Sequence, residues 1–256
     1  MELNRDYESA AIYKWRKKRK KAFVLFICIV GICFLVTRMV RVEDKTTVKV
    51  HNMHTEQNEK AIRYVASNMI KEDPKNAITF DDGPSPAWTP QLLDGLKERN
   101  VKATFFLIGE NAKNNPELVK REAEEGHLIG NHTYHHVEIT RVPDETAQEE
   151  ILMTNEVITG ITGEEVSYMR PPFGVWQKNL ERKLDVMPVL WTIDPLDWTT
   201  DNEDEIINKV VTQAGENDII LLHDCYKSSV NAALRIVDIL QKEGFEFVTV
   251  DELIMN

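Results

Sequence analysis

Asp82, His132 and His136 supply one oxygen and two nitrogen donors, the set that holds a catalytic zinc-type ion with a further position open to water. The two histidines stand four apart, so one helical turn would put both imidazoles on one face, with Asp82 approaching from a neighbouring strand end. A divalent metal there would polarise an acyl oxygen and lower the pKa of water towards about 7. Hydrolysis also needs a base for that water and an acid for the leaving group. Asp81 and His223 are the candidates. Arg170 can keep Asp81 ionised and oriented through a charge-assisted hydrogen bond, and Asp197 can do the same for a protonated His223. An amine departs poorly unless protonated, so an acid opposite a base suits an amide more than an ester.

Neighbouring residues carry rival readings. His135 competes for either ligand role but would point off the shared face. Cys225 lies beside His223, yet adjacency along the chain says nothing of geometry, and a small buried residue is the favoured reading of a free cysteine. Trp198 could offer a flat face to a sugar ring or fill the core, and the sequence leaves both open.

These groups need elements that bring them together. Short β-branched or aromatic runs at 77–80, 103–108, 127–130, 166–169, 187–193, 219–222 and 245–250 alternate with helical patterns at 89–99, 116–125, 145–159, 203–214 and 230–242. Such alternation predicts an α/β fold with a mainly parallel sheet. Five polar clusters, at 79–84, 131–136, 170–174, 194–198 and 221–224, each follow a predicted strand. They can all meet only if those strand ends share one rim, which favours a complete or incomplete barrel over an open sheet.

Ten Lys/Arg against three Asp/Glu give residues 1–41 a charge of +7, and the remainder carries −18. A part that acidic repels phosphate backbones, which excludes a nucleic-acid partner. Residues 22–37 contain no charged side chain and follow a basic cluster at 14–21. Counted to residue 40, with Arg38 snorkelling, the segment approaches the roughly 20 residues that span a bilayer. The basic cluster predicts a cytoplasmic tail (1–21), an uncleaved transmembrane anchor (22–40) and an extracellular remainder. A cleaved signal peptide is disfavoured by Thr37-Arg38-Met39, a poor small-residue cleavage site. A polar stalk with a short amphipathic helix (41–74) then leads to the catalytic domain (75–256). Of Cys28, Cys33 and Cys225, only the last falls in that outer part, so it has no intrachain disulfide framework.

The motifs TFDDGP, NHTYHH, RPPFG, DPLDW and LLH, in this order across roughly residues 75–250, resemble those of the polysaccharide deacetylase family, also called the NodB-homology or carbohydrate esterase 4 domain. The resemblance implies a distorted (β/α) barrel of fewer than eight units. It implies hydrolytic removal of acetyl from N-acetylglucosamine-type units by a divalent metal, usually zinc, sometimes cobalt, iron or manganese. Carried over by motif, Asp81 is the base and Asp82, His132 and His136 hold the metal. Arg170 orients Asp81, His223 is the acid tuned by Asp197, and Trp198 and Leu221 line the substrate groove. Phe173 stands where the family often has tyrosine, at a position whose backbone N–H serves the oxyanion, and His135 replaces a small residue. An outward-facing anchor favours peptidoglycan over a chitin-like glycan as the polymer. An O-acetyl esterase on the same metal site and a catalytically idle, membrane-tethered glycan-binding module are the alternatives. The sequence gives no oligomeric state.

Overall fold

The computed structural model describes residues 73–182 and 184–255. The expected tail, anchor and stalk, as far as residue 72, lie outside the described residues. Among the described residues no helix is long and apolar enough to cross a membrane.

In chain order the elements are β1 (Lys75–Asp81), α1 (Thr89–Glu98), β2 (Thr104–Leu107), α2 (Gly109–Asn114), α3 (Pro116–Glu124), β3 (Leu128–Asn131), α4 (Asp144–Thr162), β4 (Tyr168–Met169), β5 (Met187–Pro188), α5 (Glu203–Val211), β6 (Ile219–His223), α6 (Lys227–Lys242), β7 (Glu246–Phe247) and α7 (Val250–Met255). The strands form one parallel sheet in the order β5-β4-β3-β2-β1-β6, with β7 also paired to β1. Beyond β5, an isolated parallel bridge joins Ile193 to Ile220 of β6. The segment 187–193 therefore touches β4 at one end and β6 at the other, and the sheet curls around an interior.

Both faces of the central strands are buried, which is why they read as apolar runs rather than alternations. Ile78 and Phe80 of β1, Phe105 and Leu107 of β2 and Ile220 and Leu222 of β6 face outward and pack with Leu92, Leu93, Leu96, Ile236 and Leu240 from α1 and α6. Each such side chain contributes roughly 1.5–3 kcal/mol by leaving water. The intervening residues face inward. Ala77 and Phe106 meet Val189, Val248, Val250 and Leu253 in a second cluster that closes the lower end of the curled sheet. Strand register then sets Thr79 beside Thr104 and Leu221, and Asp81 beside Phe106 and His223, along the upper interior.

Three local expectations need correction. The run 187–193 is not one continuous strand, because the carbonyls of Val189 and Leu190 accept from the Arg170 guanidinium instead of a ladder partner. The run 245–250 forms only the two-residue β7. Val250 then opens α7, its N–H donating to Thr104 Oγ1 (3.0 Å), so that Val250 and Leu253 cap the interior. The short helix α2 falls within a stretch that the apolar periodicity left unassigned.

Gly130 shows how tightly the sheet is packed. A Cβ there would lie 2.5 Å from the Phe106 ring and 3.0 Å from the Tyr168 carbonyl oxygen. The substitution Gly130→Ala is expected to lower unfolding free energy by about 1–3 kcal/mol, read from the shift of a urea midpoint at unchanged slope.

Candidate active site

The site grows from the end of β1. Asp81 is buried, and its Oδ1 accepts from Arg170 Nη1 at 2.8 Å. Arg170 follows β4, is fully buried, and spends its donors on four groups: Asp81, Thr79 Oγ1 (2.7 Å) and the carbonyls of Val189 and Leu190 (3.3 Å each). Its guanidinium lies 4.3 Å over the Phe106 ring, so the cation is paired, hydrogen-bonded and stacked at once. Burial pushes the Asp81 carboxyl above its ordinary range, against the opposing pull of Arg170 and His223.

Asp82 turns away from the strand with φ +71°, followed by Gly83, at which a Cβ would meet the Asp224 carboxylate at 2.5 Å. Asp224 is fully buried and accepts from the Thr89 hydroxyl, and Thr89 Oγ1 accepts the Ser85 N–H at 2.7 Å. From the other side, Asn111 Nδ2 donates to the Asp82 carbonyl at 2.8 Å. The loop bearing Asp82 is thus held from beneath and beside.

His132 and His136 come together, but not on a helical turn. The segment after β3 bends irregularly, with Thr133 at φ +60° and His136 at φ +55°. The ring centroids still lie 4.9 Å apart. The main chain here is fixed by side chains rather than by a helical ladder. Asn131 Oδ1 accepts the Thr133 N–H (2.7 Å), and Thr133 Oγ1 accepts the Val137 N–H (3.1 Å). His135 points away from the pair, as expected, and donates through Nδ1 to Glu150 (2.7 Å).

The donor atoms of Asp82, His132 and His136 all lie within 4.8 Å of one another. His132 Nε2 and His136 Nε2 stand 3.4 and 3.5 Å from Asp82 Oδ1. Bonds of about 2.0–2.1 Å to a tetrahedral ion set neighbouring ligand atoms roughly 3.4 Å apart, so these spacings fit zinc. Two further observations support the fit. Asp82 Oδ1 is buried with no hydrogen-bond partner. His132 Nδ1 lies 2.6 Å from the Arg170 carbonyl, which can only accept, so the proton sits on Nδ1 and Nε2 keeps its lone pair. Burial holds the His132 pKa down at about 3, leaving the imidazole neutral as a ligand must be.

His223 ends β6, adjacent in register to Asp81. Asp197 is buried and grips it twice, Oδ2 accepting the His223 backbone N–H and Oδ1 the Nδ1–H, each at 2.8 Å. Burial alone would lower the imidazole pKa. The bonded Asp197 carboxylate outweighs it, with help from Asp81 and Asp82, and pushes the value up to about 9.

Around this centre Phe173 and Trp198 are exposed, at 63% and 55%, and the Phe173 ring lies 4.9 Å from that of His136. Trp198 is therefore no core residue. Leu221 lies on the inner face but is only 4% exposed, so the groove role implied for it reduces to walling the interior. Burial pushes the Cys225 thiol up to about 12, with Asp82, Asp224 and Asp197 adding to the effect, which removes it as a thiolate nucleophile. Sequence reasoning missed Glu150, Asp224, Asn111 and the hold of Asn131 on the Thr133 N–H. Glu150 left a trace, because it interrupts the buried stripe Ala147, Ile151, Thr154 and Ile158 of α4 at a position the stripe would fill.

The sequence profile of the family described as polysaccharide deacetylase matches residues 68–189. The chain is 37% identical over 216 residues to the peptidoglycan-N-acetylglucosamine deacetylase PgdA of Listeria monocytogenes, an alignment covering 82% of this chain and 46% of that protein. It therefore spans about half the length of that relative. A peptidoglycan-N-acetylglucosamine deacetylase of Bacillus cereus is 38% identical over 199 residues, covering 75% of this chain and 93% of the relative. The solved structure of the peptidoglycan deacetylase PdaC from Bacillus subtilis superposes with a TM-score of 0.70 at 38% identity, over 71% of this chain and 90% of that one.

The grip of Asp197 on His223 has a measurable signature. The folded pKa of about 9 lies above the ordinary 6.5, so this contribution to stability is complete below about pH 6.5 and is lost as pH rises through about 9. In Asp197→Asn the His223 midpoint, followed by NMR of the imidazole protons in metal-free protein, is expected to fall from about 9 towards 6.5.

Proposed function

The chain belongs to the polysaccharide deacetylase family, and from that premise we propose that it hydrolytically removes N-acetyl groups from N-acetylglucosamine units of a cell-wall glycan, peptidoglycan foremost. One observation carries the reading. The Asp82, His132 and His136 donor set lies between an arginine-held carboxylate and a carboxylate-held histidine. Those three residues would hold a divalent metal, zinc before cobalt, iron or manganese, which would supply polarisation of the acetyl carbonyl and a water reactive at neutral pH.

The remaining work falls to side chains. Arg170 occupies Asp81 Oδ1, which leaves Oδ2 to take the proton of the attacking water. Burial makes that carboxylate a stronger base than an exposed one. His223, fixed through Nδ1, presents Nε2–H to the departing amine. A base and an acid on adjacent strand ends give the separation in role that amide hydrolysis requires. Phe173 and Trp198 offer exposed aromatic faces to sugar rings beside the reacting group. The curled, half-barrel sheet converges these residues on one rim.

The substrate assignment draws on the named activities of the relatives and on location. The basic cluster and apolar run of residues 14–37 support a single-pass anchor with the catalytic domain outside the cell, next to the wall. An O-acetyl esterase is the second reading. The chain is also similar to the Xyl-CE4 domain of a multidomain xylanase from the hindgut metagenome of Trinervitermes trinervoides, 32% identical with a TM-score of 0.65, a likeness that keeps a xylan-type glycan in view.

The test is acetate release by the full chain from N-acetylglucosamine oligomers, peptidoglycan and acetylated xylan. Release from the first two, abolished by chelator and restored by zinc or cobalt, is expected, with Asp81→Asn slower by on the order of 10³ and Cys225→Ala close to wild type. Release from xylan alone would establish the esterase instead, and collapse of the Cys225→Ala variant's activity would overturn the mechanism.

A further inference from the structure

Glu150 has no part in the five motifs, yet it is buried and makes three hydrogen bonds to the loop that carries the metal-ligand histidines. Its Oε2 accepts the N–H groups of both Tyr134 and His135, at 3.0 and 2.8 Å, and its Oε1 accepts His135 Nδ1–H at 2.7 Å. Two successive amides converge on one oxygen only when the backbone is bent into a concave nest. The bend is flanked by Thr133 at φ +60° and His136 at φ +55°, a conformation that non-glycine residues leave unless held.

Of the other clamps on this loop, one closes beyond His136, where Thr133 Oγ1 accepts the Val137 N–H, and the rest act upstream. The N–H groups of Gly109 and Glu110 donate to the carbonyls of Thr133 and Tyr134, at 2.9 and 3.1 Å. Asn131 fixes the Thr133 N–H. Glu150 alone among these binds the His135 N–H, on the peptide whose carbonyl Glu110 holds, one residue before His136.

We infer that Glu150 is a positioning residue for the metal centre, its carboxylate setting the left-handed bend that brings His136 to Asp82 and His132. The inference rests on the metal-dependent reading above. It also gives the histidine at position 135 a physical role, since its imidazole supplies the third donor that orients the carboxylate. Glu150 touches no reacting atom, and its effect passes through His136.

The test is zinc affinity of the full, metal-stripped chain, measured by competition with a chromophoric chelator, together with the visible absorption of the cobalt-loaded protein. Glu150→Leu suits the apolar stripe of α4 but removes every acceptor. It is expected to bind zinc about 10–100-fold more weakly and to show an altered cobalt spectrum while far-UV circular dichroism stays native. His135→Ala keeps both amide bonds and is expected to stay within about threefold of wild type. Should Glu150→Leu fail to fold, Glu150→Asp decides, because its shorter arm withdraws the carboxylate and is expected to weaken zinc binding by about tenfold. Wild-type affinity and spectrum in a folded Glu150 variant would overturn the positioning role and leave the deacetylase reading intact. A wild-type chain that binds neither zinc nor cobalt would instead remove the metal-dependent reading itself.

Discussion

The ion pair between Asp81 and Arg170 is the constraint around which the rest of the domain is arranged. Moving either charge from water into the interior costs several kcal/mol, and attraction to one partner rarely repays both. Here the guanidinium is met by Asp81, Thr79 and two backbone carbonyls, with an aromatic face beneath it. Truncating Asp81 to a side chain without an acceptor would leave a buried cation short of its partner, at a cost of several kcal/mol, whereas asparagine keeps a hydrogen-bond acceptor for Arg170. The pair joins the end of β1 to the end of β4 across the interior and draws the 187–193 segment inward. The Asp81 carboxylate is therefore part of the core, and its orientation is fixed by the interactions that close the sheet.

Backbone strain is concentrated at the same rim. Asp82, Thr133, His136, Phe173 and Leu196 all have φ between +55° and +71°, and each lies in one of the five motif clusters. Residues without special turn chemistry hold such angles at a cost of about 1–3 kcal/mol each, so something must hold them there. For Asp82 the holders are Asn111 and the tight fit of Gly83 against Asp224. For the histidine loop they are Asn131, Glu150 and the start of α2. A stable scaffold below the rim lets these conformations persist, and they aim the donor atoms at one point.

How much of this was legible in the sequence depends on range. The strands β1, β2 and β6 were readable because burial on both faces leaves short β-branched, aromatic or apolar runs such as 77–80 and 219–222. The motif residues were readable because each follows such a run, and the structure does bring Asp81, Asp82, His132, His136, Arg170, Asp197 and His223 together. What failed was what long-range partners decide. The spacing of His132 and His136 suggested a helical turn, but Glu150, eighteen residues beyond His132, bends that segment otherwise. The β-branched run at 245–250 suggested a strand, but the open lower end of the interior takes Val250 and Leu253 as a helical plug. No local pattern announces either outcome, although a glutamate within an apolar helical stripe, as at 150, is a sign that it has a partner.

The same long-range arrangement links the proposed base and acid to each other. Asp81 and His223 end neighbouring strands, and each charge favours the charged form of the other, the imidazolium lowering the carboxyl pKa and the carboxylate raising that of the imidazole. A general base must be unprotonated while its companion acid is protonated, and that combination is the one in which both groups are charged. Arg170 and Asp197 reinforce it from behind, one cation for the carboxylate and one anion for the imidazolium. The four residues thus alternate in sign from Arg170 through Asp81 and His223 to Asp197. Neutralising any member weakens the charged state of its neighbours, so the pH range of the acid and base is a property of the whole row and not of either group alone.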